Sequence, residues 1–149
     1  MITTRLIGET FKVFNRVIQQ MQWLEDIVYT NEFMESLDKD CFPFTYQMCS
    51  KNKFDTGSVI VRKLVSQEID NPLAFVIYEE RPDNAVYIYS IEVHNKCQGN
   101  GRNLIENFKE KYDKITLRSS PEAKLFYINQ GFEECEENRM VWVRHKSIK

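Results

Sequence analysis

Several features are missing from this chain, and each absence removes a class of protein. No apolar run approaches the ~20 residues a membrane-spanning helix requires. The opening Met1-Ile2-Thr3-Thr4-Arg5-Leu6 has neither the long apolar core nor the cleavage site of a secretory leader. A cytoplasmic protein without membrane contact is expected. The four cysteines, Cys41, Cys49, Cys97 and Cys135, form no CxxC pair and show no disulfide-dense spacing. They read as small reduced residues, with no metal or redox role. Of the two histidines, His94 has no evident metal-binding partners and reads as a surface residue at a strand end. Excess positive charge is lacking as well: a formal net charge of −2 argues against a protein that binds nucleic acid through a broad basic surface. Low-complexity tracts and internal repeats are absent. The 149 residues suffice for one domain, 1–149, with a core that needs no disulfide or metal.

The most informative stretch is Val93-His94-Asn95-Lys96-Cys97-Gln98-Gly99-Asn100-Gly101-Arg102-Asn103-Leu104. A β-branched apolar run ends at Val93, two glycines follow one residue apart, and Leu104, Ile105, Phe108 and Tyr112 then recur at helical spacing. This predicts strand, tight loop, helix. The free N–H groups of such a helix's first turn, together with its dipole, suit a phosphate or pyrophosphate. A lone Gly-x-Gly is equally the mark of a plain turn with an N-cap. No Gly-Lys-Ser/Thr follows, so a nucleotide P-loop is ruled out by the residues themselves.

Downstream, Ser119-Ser120-Pro121-Glu122-Ala123-Lys124-Leu125-Phe126-Tyr127-Ile128-Asn129-Gln130-Gly131-Phe132 marks a second helix at both ends. Ser120 suits the N-cap, Pro121 the first helical position and Gly131 a left-handed stop.

Together these segments resemble the GNAT superfamily of acyl-CoA-dependent N-acetyltransferases. Gln98-Gly99-Asn100-Gly101-Arg102-Asn103 matches the family's Gln/Arg-x-x-Gly-x-Gly/Ala motif, although Asn103 stands where Gly or Ala is usual. Ala123, Phe126-Tyr127 and Gly131-Phe132 match its later motif, with Ser120 where Asn is frequent. The match covers about the last ninety residues; before them only the element order agrees.

The resemblance implies an α/β (α+β) fold with a mixed, mostly antiparallel central sheet flanked by helices, in the order β-α-α-β-β-β-α-β-α-β-β. It also implies acetyl-CoA as co-substrate, no metal, and an amine acceptor that is a small molecule, peptide or protein. Ile91 and Val93 would pair with the pantetheine arm, while Gln98, Gly99, Asn100, Gly101, Arg102, Asn103 and Ser120 would complete the coenzyme site. Tyr127 would be the general acid, since a phenol of pKa ~10 keeps its proton at neutral pH; its bland reading is an aromatic packed on the sheet. Glu92 is the nearest carboxylate for a general base, with Glu79, Glu80 or a water relay as alternatives. Simple alternation places Glu92 on the face of Ser90 and Ile88 unless a bulge re-aims it. The alternative to an enzyme is a non-catalytic CoA-binding or regulatory module.

Before the motif, residues 2–7 suggest a short strand. Phe11, Phe14, Val17, Ile18, Met21, Leu24 and Ile27 recur at three and four and predict an amphipathic helix. Thr30 or Asn31 could cap a second helix carrying Phe33, Met34 and Leu37, and Pro43 should interrupt any helix. By the resemblance these helices wall the acceptor site with Trp23, Tyr29, Phe42, Phe44 and Tyr46 and an acidic rim of Glu25, Asp26, Glu32 and Glu35. Runs at 58–65, 73–80 and 85–93 predict three antiparallel strands with turns at 67–72 and 81–84. A strand at 114–117 should be parallel to its neighbour, and 132–136 with 139–145 should close the sheet as a hairpin. Terminal strand edges offer a homodimer contact.

Overall fold

The computed structural model describes residues 11–14, 21–28, 33, 37–52, 59–66, 69–94 and 99–145. Among them, eight strands form one sheet in the order β1-β2-β3-β4-β5-β6-β8-β7. The strands are β1 (Phe11–Phe14), β2 (Met21–Val28), β3 (Val59–Ser66), β4 (Ile69–Arg81), β5 (Ala85–Val93), β6 (Lys114–Arg118), β7 (Glu133–Glu136) and β8 (Arg139–Val143). Helices α1 (Pro43–Asn52), α2 (Asn100–Lys111) and α3 (Lys124–Asn129) flank it. All pairings are antiparallel except β5 with β6, whose α2 crossover makes them parallel. The mixed, mostly antiparallel class read from the sequence is the one observed.

Two apolar layers sandwich the sheet. On one face Leu104, Ile105 and Phe108 of α2 and Tyr127 of α3 pack over Val76, Val86, Ile88, Ile115 and Leu117. On the other, Phe42 and Cys49 cover Val59, Val61, Phe75 and Ile77, and Phe33 and Leu37 join them. Phe42 and Phe75 meet edge to face at 4.6 Å. Among the described residues no helix is long and apolar enough to cross a membrane.

The N-terminal helix predicted from Phe11 to Ile27 is overturned. Residues 11–14 and 21–28 are strands, and β2 pairs with β3 from Gln22 to Val28. Burial across β2 runs with period two: Leu24 and Asp26 are buried while Glu25 between them is half-exposed. Aromatic and β-branched side chains suit a sheet that offers partners, and tertiary pairing prevails over a spacing that also fits a helix. A second correction concerns Pro43, which begins α1 where it was expected to interrupt a helix; its fixed φ and missing N–H cost nothing at the first helical position. The turn predicted at 67–72 is also shorter, since β4 already starts at Ile69. The strand at 2–7 and the cap at Thr30 or Asn31 lie outside the described residues. From β3 onward the predicted elements stand in the predicted order, and the closing hairpin turns at Asn138 with φ 65°.

One buried polar network was not foreseen. Arg62 of β3 is fully buried, directly opposite Asp26 of β2. Its Nε and Nη2 donate to the two Asp26 oxygens at 2.6 and 2.7 Å, and its Nη1 to Asn107 Oδ1 at 2.5 Å. Tyr78 donates its hydroxyl to Asp26 at 3.1 Å, and the guanidinium lies 4.9 Å from the Phe108 ring centre. Burial alone would depress the Arg62 guanidinium, but the Asp26 carboxylate together with the Tyr78 and Tyr112 phenols more than offsets this. Asp26 is thus no part of an acidic rim. Glu25, the other rim candidate described, faces Lys63 at 3.3 Å.

Candidate functional site

The strand and the helix on either side of the glycine motif stand as read, while residues 95–98 between them lie outside the described residues. Gly99 is the N-cap of α2 in the left-handed region, φ 78°, and a β-carbon built there would meet nothing within 4 Å among the described residues. Asn103 donates its N–H to the Gly99 carbonyl at 3.0 Å, which removes it from the donor set expected there. Asn100, Gly101 and Arg102 occupy the first-turn positions without an intrahelical acceptor. The first turn carries no acidic residue, whereas Lys109 and Lys111 lie in the last, so the positive end of the dipole is unopposed. Asn100 is buried, yet neither its Oδ1 nor its Nδ2 has a partner among the described residues. Such an orphaned amide beside free helix donors fits a site for a polar ligand. Gln98 lies outside the described residues, and Arg102 is exposed.

Replacing Gly99 with alanine tests this loop. No side chain among the described residues obstructs the new methyl, so the cost is the backbone strain of holding alanine at positive φ, about 1–2 kcal/mol by denaturant titration. An unchanged midpoint would mean the loop adopts another conformation.

Gly101 joins the loop to the second motif. A β-carbon there would stand 3.4 Å from Phe126 Cζ and 3.7 Å from Val93 Cγ2, so α2, α3 and β5 converge at this glycine. Phe126 and Tyr127 stack edge to face at 5.1 Å, and Tyr127 and Phe132 at 5.6 Å. The end of α3 fixes this group. Gly131, φ 94°, donates to the Ile128 carbonyl and Phe132 to the Tyr127 carbonyl, both at 3.0 Å, the paired bonds of a Schellman stop with its apolar contact. Burial pushes the Tyr127 phenol up to about 12. Ser120 is the N-cap residue of a 3-10 turn, Pro121–Ala123, that leads into α3; its carbonyl accepts from Ala123, while its side chain makes no cap bond and is exposed.

The strands part where the resemblance requires. β5 pairs with β6 only from Ala85 to Ile88, opposite Lys114 to Leu117. Beyond that point the β5 edge that carries Ile91 and Val93 is not paired with β6. On its other side β5 remains bonded to β4, with a bulge where Tyr89 falls between Ile88 and Ser90. The bulge reverses the alternation. Val86 and Ile88 face the α2 layer before it; Ile91 and Val93 face that layer after it, and Tyr89 packs on the α1 layer.

Glu92 is accordingly turned to α1, away from the face of Ile88 on which simple alternation would place it. Its Oε1 accepts from Thr45 N at 2.8 Å and Thr45 Oγ1 at 2.7 Å, and its Oε2 from Phe44 N at 3.1 Å. Three of its roughly four acceptor positions are engaged. The carboxylate caps the helix, and its negative charge meets the positive end of the α1 dipole. Glu92→Ala should therefore lower stability by about 1–3 kcal/mol, since the α1 donors lose a buried acceptor. Thermal or chemical denaturation would detect this, and a change below about 0.5 kcal/mol would contradict the cap.

The aromatic residues expected to wall an acceptor site are divided between surface and core. Tyr46 is half-buried and Phe44 is 66% exposed at the start of α1, but Phe42 belongs to the core. The side chains of Trp23, Tyr29, Glu32 and Glu35 lie outside the described residues. His94 is exposed, and its N–H donates to the Leu73 carbonyl at 2.9 Å. Among the described residues no three metal-binding side chains gather. Sequence reading missed the Tyr89–Glu79 contact, 2.6 Å from hydroxyl to carboxylate, which follows from the pairing of Glu79 with Tyr87 across β4 and β5.

Comparison with known proteins agrees with this geometry. The profile of the family described as acetyltransferase (GNAT) domain matches residues 44–145. A solved structure assigned as an acetyltransferase from Exiguobacterium sp. 255-15 shares 18% identity at a TM-score of 0.56, over 82% of this chain and 93% of that one. The Bacillus subtilis acetyltransferase in complex with CoA shares 17% at 0.53, over 82% and 98%. An IAA acetyltransferase from Bacillus cereus ATCC 14579 shares 16% at 0.52, over 83% and 99%. At such identities the structural likeness concerns the fold. No functionally curated protein matches the chain.

Proposed function

Because the chain belongs to the GNAT acetyltransferase family, we propose that it transfers the acetyl group of acetyl-CoA to a primary amine by direct attack on the thioester. The observation that carries this reading is the parted edge of β5 beyond Ile88, which leads to the first turn of α2. The diphosphate of the coenzyme would rest on the N–H groups of Asn100, Gly101 and Arg102. The pantetheine amides would pair along Ile91 and Val93, and the sulfur would come to the vertex where β5 and β6 separate.

The reaction consumes an ammonium and a thioester and yields an amide, the thiol and one proton. The acceptor first loses a proton to solvent. Its lone pair then forms the C–N bond as the C–S bond breaks, the new amide nitrogen sheds its second proton to solvent, and the departing thiolate takes a proton from a donor that solvent recharges. Tyr127, held protonated by burial, would be the donor. Glu92 would serve by holding α1 rather than by taking the acceptor's proton, given its three donors. Ser120 would line the coenzyme site through its backbone.

Thiol release from acetyl-CoA with a panel of primary amines is the test, alongside calorimetry with free and acetylated coenzyme. Amine-dependent thiol release is expected. Coenzyme binding without turnover would favour the rival reading, a CoA-binding or regulatory module, which the engagement of Glu92 supports. No binding of either coenzyme form would overturn both.

A further inference from the structure

The sheet face opposite α2 carries a group that the coenzyme site does not use. Tyr87 and Tyr89 stand edge to face at 4.9 Å, and the Tyr89 hydroxyl donates to Glu79 Oε2 at 2.6 Å. The Arg81 guanidinium lies 5.2 Å from the Tyr87 ring centre, and its Nε is 3.6 Å from Glu79 Oε1. The Tyr87 face and one carboxylate thus already hold a cation, supplied by the chain itself, with the Tyr89 ring edge to face beside them. The group lies at the vertex: Tyr87 is opposite Thr116 within the paired part of β5 and β6, and Tyr89 is the first residue beyond it.

Resting on the reading that the thioester reaches this vertex from the α2 side, we propose that Tyr87, Tyr89 and Glu79 form a subsite for a second, non-reacting cationic group of the amine acceptor. Arg81 is the cation it displaces. Charge logic selects a second cation over the attacking amine: a carboxylate partner favours the charged form, which has no lone pair to give. Exchange is cheap because Arg81 is 46% exposed and such a pair contributes little. The acceptor keeps Glu79 compensated once Arg81 swings away. Tyr89 is the first residue beyond the β5–β6 pairing, so a cation held here adjoins the vertex and suits a short diamine whose other nitrogen attacks the thioester.

The test compares putrescine with butylamine, which lacks the second charge. In the wild type kcat/KM for putrescine should exceed that for butylamine by about tenfold, equivalent to ~1.4 kcal/mol. Glu79→Gln should bring the ratio to about one without moving the acetyl-CoA KM, and Arg81→Gln should lower the putrescine KM. Equal use of both amines by the wild type, or a ratio unmoved in Glu79→Gln, would overturn the subsite. So would a raised putrescine KM in Arg81→Gln, which would make Arg81 a binder of the acceptor. Failure of all turnover would sink the acetyltransferase reading instead. For that reason putrescine binding is also followed at equilibrium with CoA present, by tyrosine fluorescence. An affinity reduced at least about fivefold in Glu79→Gln supports the subsite, and no binding, or equal affinity, overturns it.

Discussion

Replacing Asp26 with alanine is expected to destabilise the fold by about 3–5 kcal/mol, the usual loss when one partner of a buried ion pair is removed. Arg62 cannot reach solvent, for it is fully buried beneath α2 with its charge spread over Asp26, Asn107 and Tyr78. Without the carboxylate, one neutral amide, one phenol and two ring faces are left to compensate a full charge. The double variant Asp26→Ala with Arg62→Met should be markedly more stable than Asp26→Ala alone, because the orphaned charge is what costs. Urea unfolding of the set would show it. A single-variant loss under about 1 kcal/mol would mean that Arg62 finds water or another anion.

Tyr127→Phe should lower kcat for amine acetylation at least about tenfold while leaving the dissociation constant of acetyl-CoA nearly unchanged. The substitution keeps the ring between Phe126 and Phe132 and removes only the hydroxyl, so the aromatic packing and the Schellman stop survive. The pH profile adds an independent check. Burial raises the phenol to about 12, so the acid form persists above the ordinary tyrosine range. With rising pH the acceptor loses its proton and kcat/KM should climb, without a downturn from Tyr127 below about pH 11. Undiminished turnover in the phenylalanine variant would remove Tyr127 from the chemistry.

Where local signals were strong, the chain could be read directly. Leu104, Ile105, Phe108 and Tyr112 announced the buried stripe of α2, and Ser120, Pro121 and Gly131 the two ends of the second-motif helix. These succeed because caps, glycine stops and amphipathic stripes are decided within a few residues. The N-terminal third was misread because spacing at three and four over 11–27 also fits two strands, and only β3 could decide between them. Arg62 had left a trace: in the alternating series Ile60, Arg62, Leu64 it falls on the face of the core, and a buried arginine demands a partner. That the partner is Asp26 required the register of β2 on β3. At Glu92 the sequence left two orientations open, and the bulge decides between them. Alternation is a local rule, and a bulge opposite Ile77 and Tyr78 is a property of two strands together.

By itself the sequence determined the family, the order of elements from β3 onward, and the left-handed turn at Gly99, for these depend on short-range patterns and on residues such as glycine whose backbone freedom is their own. Tertiary structure alone decided which carboxylates do what. Asp26 went to a buried arginine, Glu92 to the end of α1 and Glu79 to Tyr89. A carboxylate's role is set by the donors that surround it, and those donors come from segments between ten and forty-eight positions away.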